Sequence, residues 1–240
     1  MDLLMANKKI ISFSVWGDKA YYVLGALLNA DIAAKDWPGW ICRFYVSPTV
    51  PKEAIDELKR KDNVEVVEMS KDESWNGMFW RFFAASDPEV KVAIFRDTDS
   101  RLGIRDKAAV EEWLDSDKNV HIMRDMCQHG WTICGGAWGV RNQRLSIMNA
   151  LIEDFELKET MNKHGIDQIW LQNTIYSQVL DDSFVHDDWF PDGFVGEEKH
   201  PFPIPRLRGE GWWKQEFPSW HSGLELEKDG HWFRSDECKH

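Results

Sequence analysis

Residues Val90–Ser100 read VKVAIFRDTDS, an apolar strand that leads directly into two aspartates. The apolar run up to Phe95 is short and continuous, which predicts a strand buried within a sheet. In an extended chain, residues i and i+2 point to the same side, about 6.5–7 Å apart. We therefore expect Asp97 and Asp99 to share one divalent cation, Mg²⁺ or Mn²⁺, because hard cations prefer oxygen ligands. The alternative is a solvated turn in which one aspartate caps the next segment.

Strands alternate with helices on the N-terminal side of this stretch. Continuous apolar runs indicate strands, and apolar residues at helical spacing indicate helices. Such alternation predicts an α/β fold with right-handed crossovers and a mostly parallel sheet that carries helices on both faces. The expected strands are Ile10–Trp16, Trp40–Val46 and Val64–Met69, and the expected helices are Tyr21–Ala34, one that opens at Pro51, and Trp75–Ala85.

The C-terminal half is less regular. Proline and glycine become dense from about residue 192, so 192–240 is expected to be an irregular segment on the body and not a separate domain. The length of 240 residues suits one domain, 1–240. The expected elements are helices Lys107–Asp115, Arg144–Phe155 and Asp167–Val179, strands Val120–Met123 and Ser183–Val185, and an extended segment Trp131–Val140.

Composition excludes several classes of function. With 29 basic and 41 acidic residues the net charge is −12, so no nucleic-acid partner is expected, because binding to a duplex needs a basic surface. No apolar run reaches the roughly 18–20 residues of a membrane span, and the first nine residues do not resemble a secretory signal. The four cysteines are scattered, which indicates reduced thiols and a cytoplasmic location. The 14 tryptophans suit a core and also a sugar-binding cleft.

The order of several motifs resembles that of the GT-A glycosyltransferases, which bind nucleotide-sugars through a divalent metal. Within that group, family 8 is nearest, although its His-x-x-Gly-x-x-Lys spacing is not kept between His186 and Lys199. The motifs span about residues 10–205. They are Trp80–Phe82 under the donor site, the metal motif Asp97–Arg101, the acceptor-facing strand Cys134–Gly139, the Asp-Gln pair in Gly165–Gln168, and the histidine in Val185–Asp187.

The resemblance implies a metal-dependent glycosyltransferase that moves a sugar from a nucleotide-sugar donor, a UDP- or GDP-sugar, to a carbohydrate or similar acceptor. It implies Mn²⁺ or Mg²⁺ on Asp97, Asp99 and His186, where the cation would stabilise the diphosphate leaving group. Asp167 and Gln168 are expected to act at the anomeric carbon. The other implied contacts are Trp16, Arg81, Asp97 and Lys199 for the donor, and Gly135, Gly136 and Trp138 for the acceptor.

Several alternatives stay open for these residues. Retention or inversion is undecided, and an inverting enzyme would use Asp125, Asp167 or Asp187 as its base. Arg96 is a further candidate for a cationic contact to the diphosphate. The structural interpretations are a surface position for His186, a helix cap for Asp167, a bulge at Gly135 and Gly136, core packing for Trp16, and an ion pair of Arg81 with Asp87 or Glu89.

Two other functions compete with glycosyl transfer. A sugar nucleotidyltransferase also uses carboxylates and Mg²⁺, but it usually carries a glycine-rich phosphate loop after its first strand. Here that place, Ser14–Asp18, holds a single glycine. A non-catalytic carbohydrate-binding protein would fit the tryptophan content and the acidity. Regularly spaced short strands are typical of such modules, and the helical spacing of this chain opposes that reading.

Overall fold

Eight strands form one mixed sheet in the computed structural model, which describes residues 7–70, 75–125, 130–158, 164–190 and 192–204. The strands are β1 (Lys8–Val15), β2 (Trp40–Val46), β3 (Val64–Glu68), β4 (Val90–Arg96), β5 (Val120–Arg124), β6 (Ala137–Arg141), β7 (Ser183–Asp187) and β8 (Lys199–His200). Their spatial order is β3-β2-β1-β4-β6-β5-β7-β8. Only the two pairings of β6, with β4 and with β5, are antiparallel.

Helices cover both faces of this sheet. Buried residues of the first three helices, such as Ala30 and Trp113, pack with Ile11 and Phe13 of β1. Phe82 and Trp170 pack on the opposite face with Ile10. The helices are α1 (Ala20–Asp36), α2 (Lys52–Lys59), α3 (Ile104–Asp115), α4 (Met148–Lys158), α5 (Ile166–Trp170) and α6 (Tyr176–Val179), with a 3₁₀ segment at Trp75–Ser86, a π-helical turn at Leu171–Ile175 and a 3₁₀ turn at Leu180–Asp182.

The expected α/β fold class is confirmed: a mostly parallel mixed sheet carries helices on both faces. Several local expectations are corrected. Trp75–Ser86 is a 3₁₀ helix and not an α-helix, and a π turn interrupts the helix expected over Asp167–Val179. The helix expected over Arg144–Phe155 starts at Met148, and in the expected extended segment Trp131–Val140 the strand begins only at Ala137. Residues 205–240 of the expected C-terminal segment lie outside the described residues.

Two buried arginines tie the elements together. Arg96 forms a two-pronged ion pair with Asp106 of α3, at 3.0 and 2.8 Å, and donates to the carbonyl of Trp138. Arg124 of β5 pairs with Asp187 at 3.1 Å and with both carboxylate oxygens of Glu197 at 2.7 Å. Because each guanidinium is removed from solvent, these carboxylates are needed to offset its desolvation.

Within the described part of the chain, no helix combines the length and the apolar character required to cross a bilayer. Cys42 and Cys134 are both buried. Burial raises the pKa of both thiols, that of Cys134 to about 12, so neither is a ready nucleophile at neutral pH.

Candidate active site

The segment Asp97–Leu102, here called the carboxylate loop, follows β4 at the carboxyl ends of the parallel strands. Open α/β sheets bind their ligands at this edge. The turn is closed by the backbone N–H of Ser100, which donates to the carbonyl of Asp97 at 3.2 Å. The Asp97 side chain is 45% exposed, so its carboxylate is open to a ligand.

Arg81 joins the carboxylate loop to α5. Its guanidinium forms an ion pair with Asp97, and its second terminal nitrogen contacts Oδ2 of Asp167 at 2.8 Å. Two serines of β1 hold its backbone: Ser12 donates to the Arg81 carbonyl at 2.6 Å, and the Arg81 N–H donates to Ser14 at 2.9 Å. The ion pair expected with Asp87 or Glu89 is therefore wrong, and Asp97 and Asp167 take that place.

Gly135 and Gly136 form the back of this cluster. They are the central residues of a turn in which the Ala137 N–H donates to the Cys134 carbonyl at 2.9 Å. A Cβ on Gly136 would fall on the Asp97 carboxylate, and one on Gly135 on the Asp167 carboxylate, both well inside the 3.0 Å that real Cβ contacts respect. Close approach of two carboxylates therefore explains both glycines, and a simple bulge does not.

Asp167 is fully buried in the first turn of α5, whose N-cap is Gly165. Burial raises its pKa and the nearby Asp97 adds to that effect, while the Arg81 guanidinium acts against it. Oδ1 of Asp167 is buried without a hydrogen-bond partner among the described residues. Capping, the structural alternative, does not account for this residue, because a buried carboxylate oxygen without a partner is costly.

Asp99 lies half-buried at the other end of the aspartate pair. Desolvation raises its pKa to about 7, and the charge of Asp97 contributes in the same direction, whereas Arg101 opposes it. Such a shift is the mark of two carboxylates whose charges are not fully compensated.

Tyr21 and Tyr22, at the start of α1, were not among the residues singled out from the sequence. The pKa of each phenol is raised by burial and then by the charge of Asp99, that of Tyr22 to about 12. The signal that could have identified them is their position, because α1 begins a few residues after β1 and its first turn faces the same sheet edge as the carboxylate loop.

His186 does not join the aspartates. It lies in β7 on the α3 side of the sheet, where Nδ1 is 2.8 Å from Nε2 of His121 and Nε2 is 3.2 Å from Glu112. Across the ranges given above, no group of three or more histidine, cysteine, aspartate or glutamate side chains is placed to hold a metal ion. The expectation that His186 is the third metal ligand is therefore wrong. The alternative, a histidine on the surface, is also wrong, because the His186 ring is buried.

The expectation that Trp138 contacts the acceptor is also wrong. Its side chain is 0% exposed and packs against Phe82 and Phe95 in the core. Trp16, in contrast, is half-buried at the end of β1 and meets Trp80 edge to face, with 6.4 Å between ring centroids. Gly77 leaves room for its ring.

The remaining charged candidates are occupied by structural partners. The ammonium of Lys199 donates to the carbonyls of Phe190 and Gly193, which stabilises that loop. Asp125 pairs with Arg105 at 2.7 Å, and Asp187 pairs with Arg124. Asp167 is therefore the base candidate that remains close to the carboxylate loop. Gln168 follows it with a half-buried side chain, and Arg96 is taken up by Asp106.

The donor set at the carboxylate loop fits a hard divalent cation. Asp97 and Asp99 supply two carboxylates, and Mg²⁺ in proteins commonly takes one or two carboxylates together with substrate phosphates and water. The mutual repulsion of the pair would be relieved by such an ion.

Comparison with solved structures gives several distant likenesses. A glycosyltransferase involved in the glycosylation of the major capsid of PBCV-1 is 14% identical, with a TM-score of 0.49 over 75% of this chain and 82% of its own. The 4-diphosphocytidyl-2C-methyl-D-erythritol synthase of Anaerococcus prevotii is 10% identical, with a TM-score of 0.47 over 77% and 89%. The glycosyltransferase GlyE of Streptococcus pneumoniae is 13% identical, with a TM-score of 0.48 over 75% of this chain and 45% of its own.

No protein-family model matches the sequence, and no curated protein matches it. At these identities the likeness to solved structures concerns backbone architecture alone, and it assigns no substrate to this chain. The chain bears only a distant likeness to the two glycosyltransferases and the synthase named above.

Proposed function

We propose that the protein transfers a sugar from a nucleoside-diphosphate sugar to a carbohydrate or related acceptor. One observation carries the proposal: a single buried arginine, Arg81, holds Asp97 of the carboxylate loop and Asp167 of α5 against two glycines at the sheet edge. An open carboxylate at the loop and a buried one beside it supply the two functions that glycosyl transfer needs, a cation site for the leaving group and an oxygen near the sugar.

We further propose that Asp97 and Asp99 would hold Mn²⁺ or Mg²⁺. The cation, when bound, would neutralise the charge that develops on the departing diphosphate. Arg81 then has a second role, because it fixes the Asp97 carboxylate while leaving part of it open to solvent. Tyr22, whose side chain is partly exposed and whose pKa is raised by burial and by the charge of Asp99, is proposed to donate a hydrogen bond to the donor.

Asp167 is proposed to act at the reacting sugar. Arg81 binds Oδ2, which leaves Oδ1 to accept a proton from the acceptor hydroxyl or to face the positive charge on the anomeric carbon. Burial raises the pKa of this carboxyl, which favours proton uptake. The Gln168 side chain, on the same first turn, is proposed to hold a sugar hydroxyl.

The location in the cytoplasm is a further proposal, supported by the scattered positions of the four cysteines in the sequence. A UDP- or GDP-sugar would serve as donor, and Trp16 is proposed as the flat contact for the base, because its half-buried ring lies at the end of β1.

Release of nucleoside diphosphate from a panel of UDP- and GDP-sugars tests the function. The panel is run with Mn²⁺, with Mg²⁺ and with chelator, for the wild type, Asp99→Asn and the control Asp31→Asn, whose side chain is 63% exposed. We expect metal-dependent release that Asp99→Asn lowers by about 100-fold and Asp31→Asn leaves unchanged.

The product distinguishes the competing functions. Pyrophosphate in place of nucleoside diphosphate would indicate nucleotidyl transfer. Absence of both release and metal-dependent donor binding would leave a carbohydrate-binding protein and refute the proposal.

A further inference from the structure

The first helix packs directly against the backbone of the carboxylate loop. Gly25 of α1 is buried, and a Cβ there would overlap the carbonyl oxygen of Thr98 and come within 3.1 Å of the Arg101 guanidinium. In a helix interior glycine costs about 1 kcal/mol relative to alanine. Its place here is explained by the close approach of helix and loop.

Asn29, one turn further along α1, binds the backbone of the same loop. Its side-chain amide donates to the carbonyl of Ser100 at 2.8 Å, with a longer contact of 3.5 Å to that of Thr98. Its carbonyl oxygen accepts from the N–H of Leu102 at 3.3 Å. Asn29 is fully buried, so these bonds are not exchanged with water and they fix the loop relative to α1.

Arg101 completes the arrangement from within the loop. Its guanidinium donates at 2.8 Å to the carbonyls of both Thr98 and Ser100. Two carbonyls, one on each side of Asp99, are thus each bound from α1 and from Arg101. These bonds hold the backbone on both sides of Asp99.

We propose that Gly25, Asn29 and Arg101 are positioning residues that set the affinity of the carboxylate loop for a divalent cation. The inference rests on the proposed function, because it assigns that cation to Asp97 and Asp99. Residues that orient ligating carboxylates typically change metal affinity by 10- to 100-fold when removed. The three residues therefore act on binding through the backbone of the loop.

The test compares Asn29→Ala with a matched control, Asn63→Ala. Asn63, just before β3 in the chain, also donates a side-chain hydrogen bond to α1, at 2.9 Å to the carbonyl of Ala30, and this bond does not involve the carboxylate loop. Binding of Mn²⁺ alone is measured by the electron paramagnetic resonance signal of the free ion, and the melting temperature of each variant is measured without metal. We expect Asn29→Ala to weaken Mn²⁺ binding at least tenfold, and Asn63→Ala to leave it within twofold.

A merely structural role would lower both melting temperatures and leave both affinities equal to the wild type, and this result would overturn the inference. If Asn29→Ala does not fold, Asn29→Ser makes the same comparison with a smaller loss of packing. If the wild type itself binds no Mn²⁺, the proposed cation site fails and the inference fails with it. Binding by the wild type that Asn29→Ala retains removes the inference alone.

Discussion

Arg81 supplies positive charge at the sheet edge where three carboxylates, those of Asp97, Asp99 and Asp167, lie near one another. It is almost fully buried, and its two ion-pair partners are the exposed Asp97 and the buried Asp167. Removal of a buried partner leaves an uncompensated charge, which costs about 3–5 kcal/mol. A substitution of Arg81 would therefore disturb folding as well as function, and a neighbouring residue gives a cleaner test.

Gly136 provides that test. We expect Gly136→Ala to lower donor turnover by about 100-fold, because its Cβ would displace the Asp97 carboxylate and misplacement by about 1 Å has effects of that size. Steady-state release of nucleoside diphosphate measures the loss. The matched control is Gly130→Ala, whose Cβ would meet Phe190 at an ordinary 3.5 Å. Equal turnover in the two variants would contradict the role given to the turn.

Among the elements, the 3₁₀ segment Trp75–Ser86 illustrates what a sequence pattern lacks. The apolar spacing predicts a helix there, and a helix is present, but it is a 3₁₀ helix, and the backbone of Arg81 within it bonds to Ser12 and Ser14 of β1. Those two serines stand in an otherwise buried strand, and nothing local assigns them a partner. The hydrogen bonds to Arg81 form only once β1 and the segment lie side by side.

The candidate site could be predicted where a residue's place follows from strand order. The position of Asp97 and Asp99 at the sheet edge could be predicted because they directly follow β4, which pairs in parallel with β1. His186 and Trp138 were placed wrongly. Successive side chains of a strand point to opposite faces of the sheet, but the sequence does not show which helices cover each face. His186 falls on the α3 side and Trp138 in the core against Phe82. The contacts of α1 with the carboxylate loop join segments that are far apart in the chain, so no local sequence pattern predicts them.

The attachment of α3 to β4 gives a prediction on stability. We expect Asp106→Asn to lower the free energy of unfolding by about 3–5 kcal/mol, because it leaves the Arg96 guanidinium buried and without its charge partner. Urea denaturation measures the change. The control, Glu111→Gln, breaks the partly exposed ion pair between Glu111 and Lys107 of the same helix, 3.4 Å apart. It should lower the free energy of unfolding by about 0.5 kcal/mol or less, which is typical of exposed ion pairs on a helix. Similar losses in both variants would refute the distinction.

For the molecule as a whole, the buried pair of His121 and His186 couples stability to pH. Burial lowers the pKa of both rings, that of His186 to about 4. Because the unfolded chain takes up protons below about pH 6.5 and the folded chain does not, stability falls as the pH drops from about 6.5 towards 4. The loss is up to about 1.4 kcal/mol per pH unit for each ring.

Melting temperatures at pH 7.5, 6.0 and 5.0 measure this dependence. We expect the double variant His121→Phe/His186→Phe to show a flatter profile than the wild type over the acidic range. The comparison separates the histidines from Asp99, whose raised pKa acts with the opposite sign, as its stabilising contribution is lost when the pH rises. Identical profiles would exclude the pair as the source.

The ion pairs of Arg124 bear on the time course of folding. Its partners Asp187 and Glu197 lie 63 and 73 residues away along the chain, so the guanidinium can be satisfied only after three separate segments have met. Closing such long loops is entropically costly before any contact repays it. We infer that this junction assembles on the native side of the folding barrier. Weakening it would therefore shorten the lifetime of the folded protein while leaving the rate at which it forms almost unchanged.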